Sequence, residues 1–210
     1  MMLRLTHYAD TILMTTQDFR LVAMLIGSLI SASMSTNAYA VSIKYKADTA
    51  YVSGTFTEAD LAKLPEFRHR KGLRTVSLNS TGGNLGILLM AIDIANRKLR
   101  TRVEKGKTCA SACFFVLLAG KERSVHKSAH IGIHSPFVPG RSPSAKTMAE
   151  AVPIPPMSTE EVASIIKEWV APDINEEFLA YLLDKADGQK GQIHWATQTE
   201  LRGLGIDVDG

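Results

Sequence analysis

Ser111 stands between two alanines, in Cys109-Ala110-Ser111-Ala112-Cys113, and His134 closes the run Ile131-Gly132-Ile133-His134 ahead of Ser135-Pro136. A serine hydroxyl is a weak nucleophile until a base takes its proton, and an imidazole titrates near working pH, so these two types together suit acyl transfer. The flanking alanines leave room for a substrate carbonyl. Upstream, Leu78-Asn79-Ser80-Thr81-Gly82-Gly83-Asn84 joins a strand pattern to a helix pattern. Two glycines there let main-chain N–H groups face a cleft unscreened by side chains, which is what a developing oxyanion needs. Taken singly, each segment has a plainer reading: a turn, a helix cap, a structural histidine. Their order along the chain is what makes a site of them.

Other residues offer rival chemistry. His130 falls on the same strand face as His134 and is the alternative base. His126, His130 and His134 recur at a spacing that would gather a metal on a helix, but the segment reads as a strand, so no metal is expected. Cys109 and Cys113 bracket Ser111 and form either a disulfide or two small buried apolar side chains. Neither thiol is as well placed for nucleophilic attack as the Ser111 hydroxyl.

The elements that must position these residues follow from the pattern of apolar positions. Val41–Phe56 alternates as two short strands, and Thr57 opens a helix that Pro65 ends or kinks. Leu73–Leu78 is a strand, Asn79–Gly83 a turn, Asn84–Leu99 a largely buried helix and Arg100–Val103 another strand. A tight segment, Gly106–Ser111, leads into an apolar helix through Ala119 that Gly120 stops. His130–His134 is a further strand. Helices follow at Ser158–Val170, where Ser158 and Glu161 make a capping box, and at Asn175–Ala186. A strand or turn at Ile193–Trp195 and a short helix at Thr197–Arg202 end the chain. Strands alternating with helices predict an α/β domain with a largely parallel sheet. Six of the eight prolines lie between Pro136 and Pro156, so this stretch reads as an excursion, either a lid or a binding surface.

Composition excludes several classes. The chain has 210 residues, 45% hydrophobic and 21% charged, which argues against a disordered, collagen-like or polytopic membrane protein. A net charge of +3 is too slight and too scattered for a nucleic-acid footprint. No phosphate-binding loop of the Walker type calls for ATP. Leu21–Met34 is an uncharged apolar run after Arg20, followed by Ala38-Tyr39-Ala40 with small residues at the −3 and −1 positions of a signal-peptidase site. Residues 1–40 are therefore expected to be a secretory signal cleaved after Ala40. Met14 would be a more ordinary start, so residues 1–13 are either an unusual upstream leader or a misassigned start. The mature chain, 41–210, is then a single domain in the periplasm or outside the cell, meeting the membrane only transiently. The alternative is a chain anchored by its uncleaved signal.

The order strand, Ser80-Thr81-Gly82-Gly83, helix, Ala110-Ser111-Ala112 at a helix start, then Ile131-Gly132-Ile133-His134-Ser135-Pro136 resembles the Clp protease and crotonase superfamily. It is most similar to the Clp protease proteolytic subunit-like group that includes small periplasmic proteins. The resemblance spans about Tyr51–Ile206 and is densest over Arg74–Pro136. It implies a single-domain spiral of repeated β-β-α units, with the excursion at 136–157. It also implies Ser111 as nucleophile, His134 as general base, and an oxyanion hole from the N–H groups of Gly83 and Ala112, shaped by Gly82. The superfamily's Arg-Asp doublet is missing. Asp187 is the matching acid, with Asp184 and Asp173 as alternatives, and a Ser–His dyad is the arrangement without one. A lysine base, as in the signal-peptide-peptidase branch, would fall to Lys121 or Lys127. The implied activity is an exported serine peptidase acting on peptides or proteins without a cofactor, and homo-oligomers form through the excursion region. The alternatives are a non-catalytic binding or assembly module on the same fold, and an acyl-CoA enzyme of the crotonase branch.

Overall fold

The structure is a computed structural model that describes residues 40–83, 87–134, 158–187 and 192–210. Most of residues 1–40, the expected signal, and the proline-rich stretch at 136–157 lie outside the described residues. Two strands, β1 (Ser42–Lys46) and β2 (Thr49–Phe56), form an antiparallel hairpin closed by Ala47 and Asp48. The carbonyl of Asp48 accepts the N–H groups of Arg74 and Thr75 at 2.8 and 3.1 Å, which ties the hairpin to the start of β3 (Thr75–Gly83).

Between them the expected single helix is two. Thr57 opens a 3₁₀ turn, Glu58–Lys63, and an α-helix, α1 (Leu64–His69), follows directly. Pro65 starts α1 rather than ending the turn before it, because a missing N–H does no harm in the first turn of a helix.

β3 is the hub. Along its whole length it pairs in parallel with β2, with a bulge between Ser53 and Thr55. On its other side, Thr75–Ser77 pairs with β4 (Arg100–Val103), and Ser80 pairs with β5 (Thr108–Ala110). The sheet therefore forks. One branch runs from β4 to β6 (Arg123–His126) and β9 (Asp207–Asp209), the other from β5 to β7 (His130–Ile133) and β8 (His194–Trp195). Among the described residues every pairing is parallel except β1 with β2 and β7 with β8. β4–β5 followed by α3 (Ala112–Leu118), and β6–β7 after it, each give one strand to each branch, which is the expected spiral.

Three short strands escaped the sequence reading, β9 beyond the last expected helix among them. β5 was hidden in the tight segment, and β6 lay in an unassigned stretch. The Asn79–Gly83 turn is instead strand, held extended by β2, with Thr55 opposite Gly82 and Phe56 opposite Gly83.

The core gathers around α3, whose seven residues are all buried, and α2 (Ile87–Asn96), which packs beside it with Ile87, Met90, Ala91 and Ile94 inward. Gly120 follows α3 for a reason other than a left-handed cap. A Cβ at this position would lie 2.1 Å from the Thr101 hydroxyl, which itself donates to the Leu117 carbonyl at 2.7 Å. Buried Arg123 donates to the Leu118 carbonyl at 2.8 Å, placing a cation at the helix's negative end. α4 (Thr159–Trp169) and α5 (Glu176–Asp187) pack on each other, and α5 also meets β7; α6 (Gln198–Gly203) lies between β8 and β9. No helix among the described residues is long and apolar enough to cross a membrane.

Candidate functional site

β5 ends at Ala110, α3 begins at Ala112, and Ser111 makes the whole turn between them with φ 57° and ψ −132°. That positive φ is uncommon for a residue with a Cβ, and such strain persists only where the surroundings hold it. Three contacts do so. The Ser111 N–H donates to the Gly132 carbonyl at 2.9 Å, and the Ser111 carbonyl accepts from Phe114 N–H at 2.9 Å. Gly82 supplies the third: a Cβ there would lie 2.5 Å from Ser111 Cβ, 2.7 Å from the Ala110 carbonyl oxygen and 2.9 Å from Ala112 N. The glycine-rich end of β3 is thus pressed against the back of the serine turn.

The histidine comes from the neighbouring strand. β5 and β7 pair with Ala110 opposite Gly132, so two small residues separate the chains where Ser111 and His134 leave them. The Ser111 hydroxyl lies 2.6 Å from His134 Nε2, and both residues are half-buried. At that distance the ring can take the hydroxyl proton as the oxygen attacks.

Ala112 opens α3, so its N–H has no intrahelical acceptor. The Gly82 N–H is taken by the Ser80 hydroxyl at 3.1 Å, so this glycine acts by its shape. Gly83, the last residue of β3, carries the other N–H expected of the oxyanion hole.

Cys109 and Cys113 form a disulfide with a Cα–Cα separation of 5.3 Å, both residues buried. The bridge joins strand to helix across Ser111, which is why it forms: the sharp turn folds the two chains together, a geometry that a continuous helix would not have given. Closing so short a loop stabilises by about 2 kcal/mol on the chain-entropy account. A Cys109→Ala/Cys113→Ala double variant should unfold at lower urea by about that amount, read from the denaturation midpoint.

The rival residues separate in space. Asp173 donates nothing to the site; its carboxylate pairs with Arg123 on the other branch of the sheet. Asp184 is exposed on α5, whereas Asp187, the last residue of that helix, is half-buried. His130 is exposed, its ring edge-on to Trp195 at 6.2 Å. Lys121 is exposed beside Glu122, and Lys127 is an exposed residue just after β6. His126 bonds Ser128, and among the described residues no three His, Cys, Asp or Glu are grouped to hold a metal.

One polar cluster went unread. Glu200, 9% exposed, accepts from Lys185 Nζ at 2.6 Å, Thr197 N–H at 2.7 Å, the Thr197 hydroxyl at 3.0 Å and His194 Nε2 at 3.1 Å. His194 pairs with Ile133, so the cluster anchors β8 against the strand that carries His134. Thr197 and Glu200 make a capping box, the signal from which the cluster could have been found. Burial works to raise the Glu200 carboxyl, but the hydrogen bonds from Lys185, Thr197 and His194 outweigh it and hold it at about 2.

Because that value lies below the unfolded 4.5, the stabilisation is present above about pH 4.5 and is lost as pH falls towards 2. The difference corresponds to about 3 kcal/mol. Glu200→Gln should be less stable than the parent by about that much at pH 7. The gap should close on acidification, as followed by urea unfolding at several pH values.

No family model and no curated protein matches this chain. Solved structures do match. The 1510-N membrane-bound stomatin-specific protease, as a mutant in complex with a substrate peptide, superposes with a TM-score of 0.54 at 16% identity over 77% of this chain and 74% of that one. Another mutant of the same protease gives 0.52 at 14% identity over 77% and 78%. An enoyl-CoA hydratase from Bacillus halodurans gives 0.45 at 13% identity over 81% and 73%. The chain thus shares the α/β spiral fold of the stomatin-specific protease structures.

Proposed function

We propose that this chain is an exported serine hydrolase that cleaves peptides through an acyl-enzyme. One observation carries the reading: the Ser111 hydroxyl sits 2.6 Å from His134 Nε2, at a strained strand-to-helix turn whose next N–H is unpaired within its helix. In the reaction His134 takes the Ser111 proton while the oxygen attacks the peptide carbonyl. The N–H groups of Gly83 and Ala112 hold the oxyanion, and His134 then protonates the leaving amine. Water, activated by the same imidazole, releases the acyl group.

Asp187 is the acid proposed to orient His134, by its place at the end of α5, the helix that packs on β7. Peptide is the substrate class, as for the protease that shares the fold. The signal segment and the disulfide both suit an oxidising compartment outside the cytoplasm. The excursion at 136–157 is the proposed lid or assembly surface. An acyl-CoA enzyme of the crotonase branch would have no use for a serine so activated.

The test is the reaction of the purified protein with a fluorophosphonate, which captures activated serines. Covalent labelling is expected. A folded, disulfide-bonded protein that takes no label would instead be the non-catalytic binding module.

A further inference from the structure

The start of the folded chain holds a second constellation, away from Ser111. Asp60 is 3% exposed, yet its carboxylate is crowded with donors: Thr57 N–H and hydroxyl each at 2.8 Å, Lys63 Nζ at 2.6 Å, and the N–H of Val41 at 3.2 Å. Thr57 alone would satisfy a helix cap. The Val41 contact is of another kind, since it reaches back across 19 residues. Ala40 is exposed, whereas Val41 is 2% exposed. The step from exposed to buried therefore falls on the bond that the Ala38-Tyr39-Ala40 pattern marks for cleavage.

We infer that cutting the Ala40–Val41 bond creates a binding site for its own product, in which the new α-ammonium of Val41 forms a buried ion pair with Asp60 and locks the mature N-terminus onto the domain. The inference rests on the export reading and is independent of Ser111. The cut is a hydrolysis by a membrane signal peptidase. One water is consumed, its hydroxyl goes to the Ala40 carbonyl carbon, and Ala40 leaves as a carboxylate. The Val41 nitrogen keeps the electron pair of the broken C–N bond and ends as NH₃⁺, so charge and atoms balance. One amide donor becomes three donors on a cation, facing a carboxylate already in place.

The charges around the site favour the exchange. A cavity of about 310 Å³ is lined by Val41, Ser42, Ile43, Tyr45, Lys63 and Glu66. Lys63 also donates to the Val41 carbonyl. Asp60 faces the Val41 N–H directly, with Lys63 and Glu66 on the cavity wall and Arg70 over the Tyr45 ring, 4.6 Å from its centre. The α-ammonium would meet that carboxylate at hydrogen-bond range. Burial works to raise the Asp60 carboxyl, and its hydrogen bonds from Lys63, Thr57 and Val41 override this and hold it at about 2, so it is ionised whenever the amine is.

The sign of the pH effect follows. A free α-amine titrates near 8, and pairing with Asp60 raises it in the folded state, so the stabilisation is complete below about pH 8 and is lost as pH rises through the raised value.

The test uses the full chain expressed with its leader in a bacterium and the exported product purified. Its first residue should be Val41 by N-terminal sequencing. With acetic anhydride at pH 8, the Val41 amine should acetylate at least tenfold more slowly in the native protein than in urea. Asp60→Asn should abolish most of that protection, together with any loss of stability between pH 8 and 9.5. A product starting at another residue, or a native Val41 amine that reacts at its unfolded rate, would overturn the inference. Should Asp60→Asn fail to fold, the acetylation rate of the parent decides alone. Fluorophosphonate labelling should survive failure here, because no atom of the Ser111 site takes part.

Discussion

Ser111→Ala is expected to end fluorophosphonate labelling altogether, and His134→Ala to slow it by about 10²–10⁴-fold, the usual contribution of a general base. The two effects differ because one removes the attacking atom and the other only its activation. Both variants should stay folded. Alanine at 111 meets the same positive φ as serine and keeps the main-chain bonds to Gly132 and Phe114. His134 is half-buried just after β7, at the surface end of that strand's run. Matching urea midpoints for the three proteins, with labelling rates apart by these factors, would satisfy the expectation. A Ser111→Ala protein that still takes the label would refute it.

Gly82→Ala should do the second-largest damage, to stability and site together. The added methyl would sit 2.5–2.9 Å from Ser111 Cβ, the Ala110 carbonyl and Ala112 N, and φ at Gly82 is +96°. The neighbours are backbone and the Cβ of Ser111, so nothing can swing aside. Strain and overpacking together cost on the order of 2–6 kcal/mol. Any relief must come from displacing the serine turn, and a shift of about 1 Å is worth about 10²-fold in rate. Gly72→Ala is the control. Its φ of +72° is equally foreign to alanine, but nothing lies within 4 Å of the added methyl. It should cost about 1–2 kcal/mol and leave labelling unchanged. Equal labelling by the Gly82→Ala and parent proteins would show that the turn does not depend on β3.

The same tight packing explains what the sequence disclosed and what it hid. The pairing of Ser111 with His134 was legible because the Gly82-Gly83, Ala110-Ser111-Ala112 and Ile133-His134 segments follow one another in the expected order. The two apolar helices and the capped helix at Ser158 were legible because their signals are local. β3 was misread at its end, since Gly82-Gly83 has turn propensity and only pairing with β2, a tertiary effect, holds it extended. β5 is three residues long and shows no period, yet it leads directly into Ser111. Pro65 and Gly120 were assigned the right neighbourhood and the wrong cause: one starts a helix, the other yields to Thr101. Glu200 escaped because its partners Lys185 and His194 are gathered only by folding. Asp173, reasonable by position along the chain, is drawn away by Arg123.

The most direct trial of the account is to locate the label. After reaction with a fluorophosphonate, intact mass should show one adduct per chain, and peptide mapping should find it on Ser111, between the bridged Cys109 and Cys113. An adduct on any other residue, or none on protein whose disulfide and urea midpoint are intact, would contradict the claim that this turn and this imidazole form a nucleophile.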